Sequence, residues 1–129
     1  MKQHIGLISI LVDDYDKAIE FYTCKLNFEL IEDSQLSSDK RWVVVRPKGS
    51  NCSLLLAKAG NETQSKYIGN QTGGRVFLFL YTDDIDRDLK SLILNDVKIV
   101  RPLSAESFGK VAVFADLYGN LWDIIEPIE

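Results

Sequence analysis

An internal repeat constrains the fold of this chain more than any other feature of its sequence. Val12–Lys17 and Thr82–Arg87 each contain three aspartates followed by a cation, at an offset of 70 positions. Extended without gaps, the same offset pairs Leu7 with Phe77, Ile19 with Leu89, Gly49 with Gly119 and Leu54 with Ile124. Because a duplicated unit fixes architecture more firmly than local propensity does, the repeat predicts two copies of one module.

Each copy begins with a strand followed by a helix. Ile5–Val12 and Arg75–Tyr81 are short and rich in apolar residues, as expected of strands. Asp13–Asp14 and Asp83–Asp84 follow them and supply N-cap oxygens for a helix. Apolar residues at helical spacing then predict two buried stripes, namely Ala18, Ile19, Tyr22 and Leu26 in the first copy and Ile85, Leu89, Leu92 and Ile93 in the second.

Three more strands follow each helix, which we expect to end at Asn27 and Asn95 in a left-handed conformation. The predicted strands are Phe28–Ile31, Trp42–Arg46 and Cys52–Ala57, then Val97–Val100, Val111–Ala115 and Leu121–Ile125. The pattern predicts an α+β fold of tandem βαβββ modules, residues 1–58 and 74–129. The polar stretch 59–73 between them is either a simple linker or a partly mobile flap over a binding site.

Composition limits the function classes. A chain of 129 residues is long enough to bury a core as one domain. The net charge of -4 gives no basic field for nucleic acid, and Asp13 and Asp14 interrupt the first apolar run too early for a membrane span. We therefore expect a cytoplasmic protein with no nucleic-acid or membrane partner. Cys24 and Cys52 lack metal-binding spacing and are predicted to be reduced, buried, small apolar residues.

Both ends of the chain carry a family resemblance. The opening His4–Tyr22 with Lys25–Phe28, and the closing Phe114–Ile125, resemble the vicinal oxygen chelate superfamily of glyoxalases, bleomycin resistance proteins and extradiol dioxygenases. Asn27 and Leu117 stand where that family usually has glycine and proline. The resemblance implies curved mixed sheets around a cavity, commonly completed by a homodimer.

The resemblance also implies where a metal would bind. Family members hold a divalent ion through four inward positions, which correspond here to Leu7, Ser53, Phe77 and Asp123. Only Asp123 is a good metal ligand, and a divalent ion needs three or more protein donors. We therefore expect no metal and no other cofactor; a divalent metal with displaced ligands is the alternative. His4, the single histidine, is expected to be a surface residue on the opposite face from Leu7; the alternative is a frayed first strand that brings His4 toward Asp123.

Strand alternation around these positions predicts an apolar and aromatic pocket for a small molecule. The expected ligand-binding residues are Leu7, Ser9, Ser53, Arg75, Phe77, Phe79, Tyr81 and Asp123. Alternatively, Phe77 and Phe79 simply fill the core. A desolvated Asp123 is the one candidate catalytic acid or base, with Arg75, Tyr81 and Ser53 as its expected partners.

Three function classes remain open. The first is a metal-free protein that binds a small, partly aromatic molecule and resembles bleomycin resistance proteins. The second is a lyase, isomerase or dioxygenase-type enzyme that uses Asp123 with or without a metal. The third is an interaction module without a ligand. The sequence favours the first class because the usual metal positions are mostly not kept.

Overall fold

The computed structural model describes residues 1–128. Within them the chain divides into two compact units, a first module of residues 1–68 and a second module that starts at Gly69. The first module contains β1 (Leu7–Val12), α1 (Tyr15–Glu20) with a π-helical continuation (Phe21–Lys25), β2 (Glu29–Gln35), β3 (Arg41–Arg46), β4 (Ser53–Lys58) and α2 (Glu62–Ser65). The second contains β5 (Val76–Tyr81), α3 (Ile85–Leu94), β6 (Ile99–Glu106), β7 (Gly109–Ala115) and β8 (Leu121–Pro127).

Each module folds into one four-stranded mixed sheet. The strand order is β1-β4-β3-β2 in the first sheet and β5-β8-β7-β6 in the second. In both, the first strand runs parallel to the last and the remaining neighbours are antiparallel. The shared order confirms the predicted tandem βαβββ topology.

One face of each sheet is lined by fully buried side chains. We call the other the open face, which holds exposed side chains together with the buried Val44, Ser53, Val113 and Ile125. In the first module α1 packs on β3 and β4, and the side chains of that helix-covered face, such as Ile10, Val43 and Leu56, are fully buried. In the second module Phe114 stacks on Trp122 with ring centroids 5.7 Å apart, and both rings are buried. Strand alternation leaves Leu7, Ser9, Trp42, Val44, Arg46, Ser53 and Leu55 on the first open face and Phe79, Tyr81, Arg101, Val111, Val113, Asp123 and Ile125 on the second.

The helix starts are as predicted, but one helix end differs. Asp14 and Asp84 are N-caps whose carboxylates accept hydrogen bonds from the backbone N–H of Lys17 and Arg87, each at 3.0 Å. Asn27 has the expected positive φ of 60°. After α3, however, Asn95 is the C-cap and the left-handed residue is Asp96, so the left-handed conformation falls one residue later than predicted.

Both predicted apolar stripes need correction. Leu26 is only half-buried while Phe21 is buried, because the π-helical segment, closed by the bond from Leu26 N–H to the Phe21 carbonyl, widens the turn and shifts the buried positions. This segment also leaves Cys24 exposed, contrary to the prediction, whereas Cys52 is half-buried. In α3, Ile93 is 62% exposed and only Ile85, Leu89 and Leu92 are buried.

Several strand boundaries also differ from the prediction. The edge strands β2 and β6 run to Gln35 and Glu106, well beyond the predicted ends at Ile31 and Val100. Their extensions are polar and exposed, so no apolar periodicity marks them in the sequence. Within the predicted linker, Asn61 caps the short helix α2, so that stretch is not wholly irregular.

Candidate functional site

A row of four side chains crosses the open face of the second module and has Asp123 near its middle. The strand registers set Phe79 opposite Asp123, Asp123 opposite Val113, and Val113 opposite Arg101. Residues opposite one another in a sheet project to the same side, so these four side chains share one face. The row places a carboxylate between an aromatic ring and an aliphatic side chain, with a cation on the edge strand.

Aromatic surface borders this row. Tyr81, two residues along β5 from Phe79, lies opposite Ile125 on the same face. Phe79 is 57% exposed and Tyr81 is 65% exposed, so neither ring fills the core. The alternative in which Phe79 is simply a core residue is therefore wrong. Exposed aromatic rings beside one carboxylate are typical of a surface that binds a partly aromatic partner.

A cavity of about 350 Å³ opens beside Asp123 on the β6 side of the sheet. The lining combines Asp123 and Arg101 with aliphatic and aromatic carbon. Its residues are Arg101, Pro102, Ser104, Glu106, Phe108, Val111, Ala112, Val113 and Asp123. The volume lies at the low end of the range for small-molecule pockets.

Asp123 is the perturbed carboxylate of this site. Burial raises the pKa of Asp123 above its ordinary value, and the nearby Arg101 guanidinium partly opposes the shift. Among residues 1–128 no side chain or backbone N–H donates a hydrogen bond to Asp123. A half-buried carboxylate without a donor is able to accept a hydrogen bond from a ligand or to exchange a proton with one.

The partners predicted for Asp123 are not hydrogen-bonded to it. Arg75 lies just before β5, where it is exposed, and its carbonyl accepts a hydrogen bond from Thr72 Oγ1 at 2.5 Å. Tyr81 shares the face of Asp123 but lies one side-chain row further along the sheet. Ser53 belongs to the first module, where it is opposite Leu7. The charge that acts on Asp123 is Arg101 instead.

Phe77 does not occupy the place that the repeat predicts. In the first sheet Leu7 is opposite Ser53, so the offset of 70 would set Phe77 opposite Asp123. In the second sheet Val76 rather than Arg75 is opposite Leu121, so the register already differs by one residue from the offset. The shift between Val76 and Leu78 adds a second residue, leaves Phe77 in the irregularity and sets Phe79 opposite Asp123. Such a bulge re-aims the side chains that follow it, and an ungapped repeat gives no sign of it.

Sequence reasoning missed Arg101 and Val113 as neighbours of Asp123. Arg101 falls just past the predicted end of its strand at Val100, within the exposed part of β6 that contains Pro102. The strand prediction Val111–Ala115 contained Val113, and pairing β7 with β8 would have placed it beside Asp123. Extending the predicted hairpin at Gly119 back along both of its strands would therefore have identified Val113 as the neighbour of Asp123.

The first module's open face carries the other predicted residues. Leu7 is 39% exposed and pairs with the buried Ser53, and Ser9 is exposed and pairs with Leu55. Arg46 also lies on this face, at the end of β3. His4 is exposed, as predicted. This face therefore holds hydroxyl groups, aliphatic carbon and one guanidinium.

The donor set at the family's metal positions does not fit a divalent ion. Leu7 and Phe77 offer no donor atom, and Asp123 is the only carboxylate of the four. Across residues 1–128 no three side chains of His, Cys, Asp or Glu come together in a group able to hold a metal. Divalent ions are held in a defined geometry by three or more protein donors, so we derive no chemistry through a metal.

A second cavity, of about 740 Å³, lies at the far end of the second sheet. Its acidic groups already have protein partners. Glu126 Oε1 accepts a hydrogen bond from the backbone N–H of Ile85 at 2.9 Å, and Asp83 pairs with Arg87 at 2.8 Å. These bonds hold the start of α3, and Tyr81 of the open face also lines this cavity.

Comparison with known families agrees with this fold. The family model of the Glyoxalase/Bleomycin resistance protein/Dioxygenase superfamily matches residues 4–124. The chain belongs to this superfamily. An uncharacterised protein of Shewanella frigidimarina (strain NCIMB 400) is 58% identical over 128 residues, which is 98% of this chain and 95% of that protein. No helix in residues 1–128 is long and apolar enough to cross a membrane.

Two solved structures are similar over nearly the whole chain. One is TnmS3, an antibiotic binding protein from Streptomyces sp. CB03234, with 32% identity, a TM-score of 0.82 and 98% of each chain covered. The other is UcmS2, with 27% identity and a TM-score of 0.85 over 98% of this chain and 99% of that one. The fold of this chain is therefore that of its superfamily.

Proposed function

We propose that this protein binds a small, partly aromatic molecule on the open face of its second module, without a metal. The observation that carries the proposal is the row in which Asp123 lies between Phe79 and Val113 with no protein donor among residues 1–128. Asp123 would accept a hydrogen bond from a hydroxyl or amide of the ligand, while Phe79 and Tyr81 would stack on its ring.

Similarity to TnmS3, described as an antibiotic binding protein, supports a binding role. The donor set supports the metal-free part of the proposal, since Asp123 alone would hold a divalent ion poorly. Arg75 and Phe77 stay in the proposal as wider contacts of the second module, and Leu7, Ser9 and Ser53 stay as predicted ligand contacts of the first module taken by itself. A cytoplasmic location and a homodimeric state belong to the same proposal.

A second candidate is an enzyme that uses Asp123 as a general acid or base, as in a lyase or isomerase. Its support is the raised pKa of Asp123, because an acid-base group works best when its pKa approaches the operating pH. We rank it second because Arg101 opposes the shift and no second acid-base side chain is bonded to Asp123 among residues 1–128.

The test combines metal analysis with a thermal-shift screen. Protein purified without chelator should carry background metal, and its unfolding midpoint should rise with small aromatic alcohols and amides but not with divalent ions. Asp123→Asn should fold and lose most of the response to the aromatic compounds. Wild-type protein that carries close to one divalent ion per chain, lost in Asp123→Asn, would instead establish an enzyme-type metal site with displaced ligands.

A further inference from the structure

Arg46 is a half-buried cation that the function above does not use. Its Nε is buried and has no hydrogen-bond partner among residues 1–128. Its register partner on β2 is Glu29, yet the two side chains form no ion pair within the described part of the chain. Because an unsatisfied buried donor costs free energy, this Nε–H is a donor available to an acceptor from outside these residues.

The sheet register fixes where Arg46 lies. β3 pairs with β4 so that Val44 is opposite Leu55 and Val45 is opposite Leu54. Arg46 and Ser53 follow these last paired positions as the end of β3 and the start of β4, so extending the register by one residue brings them next to each other, and Ser53 is opposite Leu7. Val45 is fully buried on the helix-covered face, so alternation directs Arg46 to the open face of the first module.

The surroundings of Arg46 suit the charged end of an organic molecule. Ser53 is buried beside it, and no described residue accepts a hydrogen bond from the Ser53 hydroxyl. Leu7 at the end of the row and Val44, two residues before Arg46 on the same face, add apolar surface. The guanidinium offers a planar fork of donors that matches a carboxylate, and a buried charge-assisted bond is among the stronger polar contacts.

We propose that Arg46, with Ser53, recognises an oxyanion, chiefly a carboxylate, on a small aromatic ligand. The proposal rests on the proposed function in taking the ligand to be small and partly aromatic. It assigns a specificity-determining residue to the open face of the first module, taken by itself, and a negative charge to the ligand that binds on that face. It does not require Asp123 to take part.

Matched acid and amide probes test the charge requirement. We would titrate wild-type protein with 2-naphthoate and 2-naphthamide and follow backbone amides and arginine Nε–H signals by NMR. The acid should bind about 10-fold more tightly than the amide and shift the Arg46 Nε–H signal. Arg46→Gln should abolish the preference, and Arg46→Lys, which keeps the charge but not the fork, should retain only part of it.

Lys48→Gln is the matched control, because it removes the same charge from an exposed position two residues away. It should keep the preference for the acid, and circular dichroism should show that each variant is folded. Equal affinity of wild-type protein for acid and amide overturns the role of Arg46 while leaving small-molecule binding intact. Failure of both probes, together with no response to aromatic compounds in the thermal-shift screen, counts against both proposals.

Discussion

Asp123 shows how one residue's surroundings set its chemistry. The sequence identified it as the one family-type donor, because its position followed from the hairpin at Gly119 and from the repeat. Its actual neighbours, Phe79 and Arg101, did not follow, since one depends on a bulge and the other on an exposed strand extension. The importance of Asp123 was thus predictable from the sequence, whereas the residues that surround it in the folded chain were not.

A pH-dependent stability measurement tests the environment of Asp123. Burial raises its pKa in the folded chain, so its contribution to stability is fully present below the unfolded pKa and is lost as pH rises through the folded pKa. Asp123→Asn removes this titration. The variant should therefore be more stable than wild type near neutral pH, and the gain should shrink as the pH is lowered into the acid range.

Urea unfolding midpoints at several pH values would measure this difference. Asp39→Asn is the control, because Asp39 is exposed and its replacement should change the midpoint little at any pH. A loss of stability in Asp123→Asn at neutral pH would mean that the folded protein stabilises the ionised carboxylate, contrary to the assigned environment.

Elements with strong local signals were predicted well, and elements without them were not. Helix starts followed from aspartate caps, and buried strands followed from runs of apolar residues such as Val43–Val45. The π-helical segment Phe21–Lys25 and the register shift at Phe77 have no local signature, because both depend on how neighbouring elements pack.

The start of α3 gives a prediction at this scale. Asp84 caps the helix, and Glu126 on β8 accepts a hydrogen bond from Ile85 N–H. Asp84→Ala should lower the free energy of unfolding by about 1 kcal/mol, the usual cost of a lost cap. The neighbouring Asp83→Ala, which removes only an exposed ion pair with Arg87, should cost less. If urea unfolding gave the same loss in free energy of unfolding for Asp84→Ala and Asp83→Ala, the cap would have no special role.

At the scale of the whole molecule, the repeat predicted two modules of one topology, and both sheets have the same strand order. The oligomeric state of the chain is harder to predict from its sequence. The edge strands β2 and β6 expose apolar side chains that include Leu30, Ile31, Val100 and Leu103. Exposed edges and apolar patches favour association with another chain.

We therefore expect a homodimer in solution. Sedimentation equilibrium at micromolar concentration should give twice the chain mass of 14.6 kDa. Ile31→Lys and Val100→Lys each place a charge on an edge strand and should promote dissociation of the dimer. Ile93→Lys, on the exposed side of α3, is the control and should not. A wild-type protein that remains monomeric would rule out the dimer.

Metal-free binding of a small aromatic molecule is tested most simply by calorimetric titration of the protein with 2-naphthol, a neutral aromatic alcohol, in the presence of EDTA. We expect saturable binding that EDTA does not change. Tyr81→Ala or Phe79→Ala should weaken this binding by about 10-fold, because each variant loses stacking and burial. Binding that appears only after a divalent ion is added, or that both alanine variants leave unchanged, would contradict this expectation.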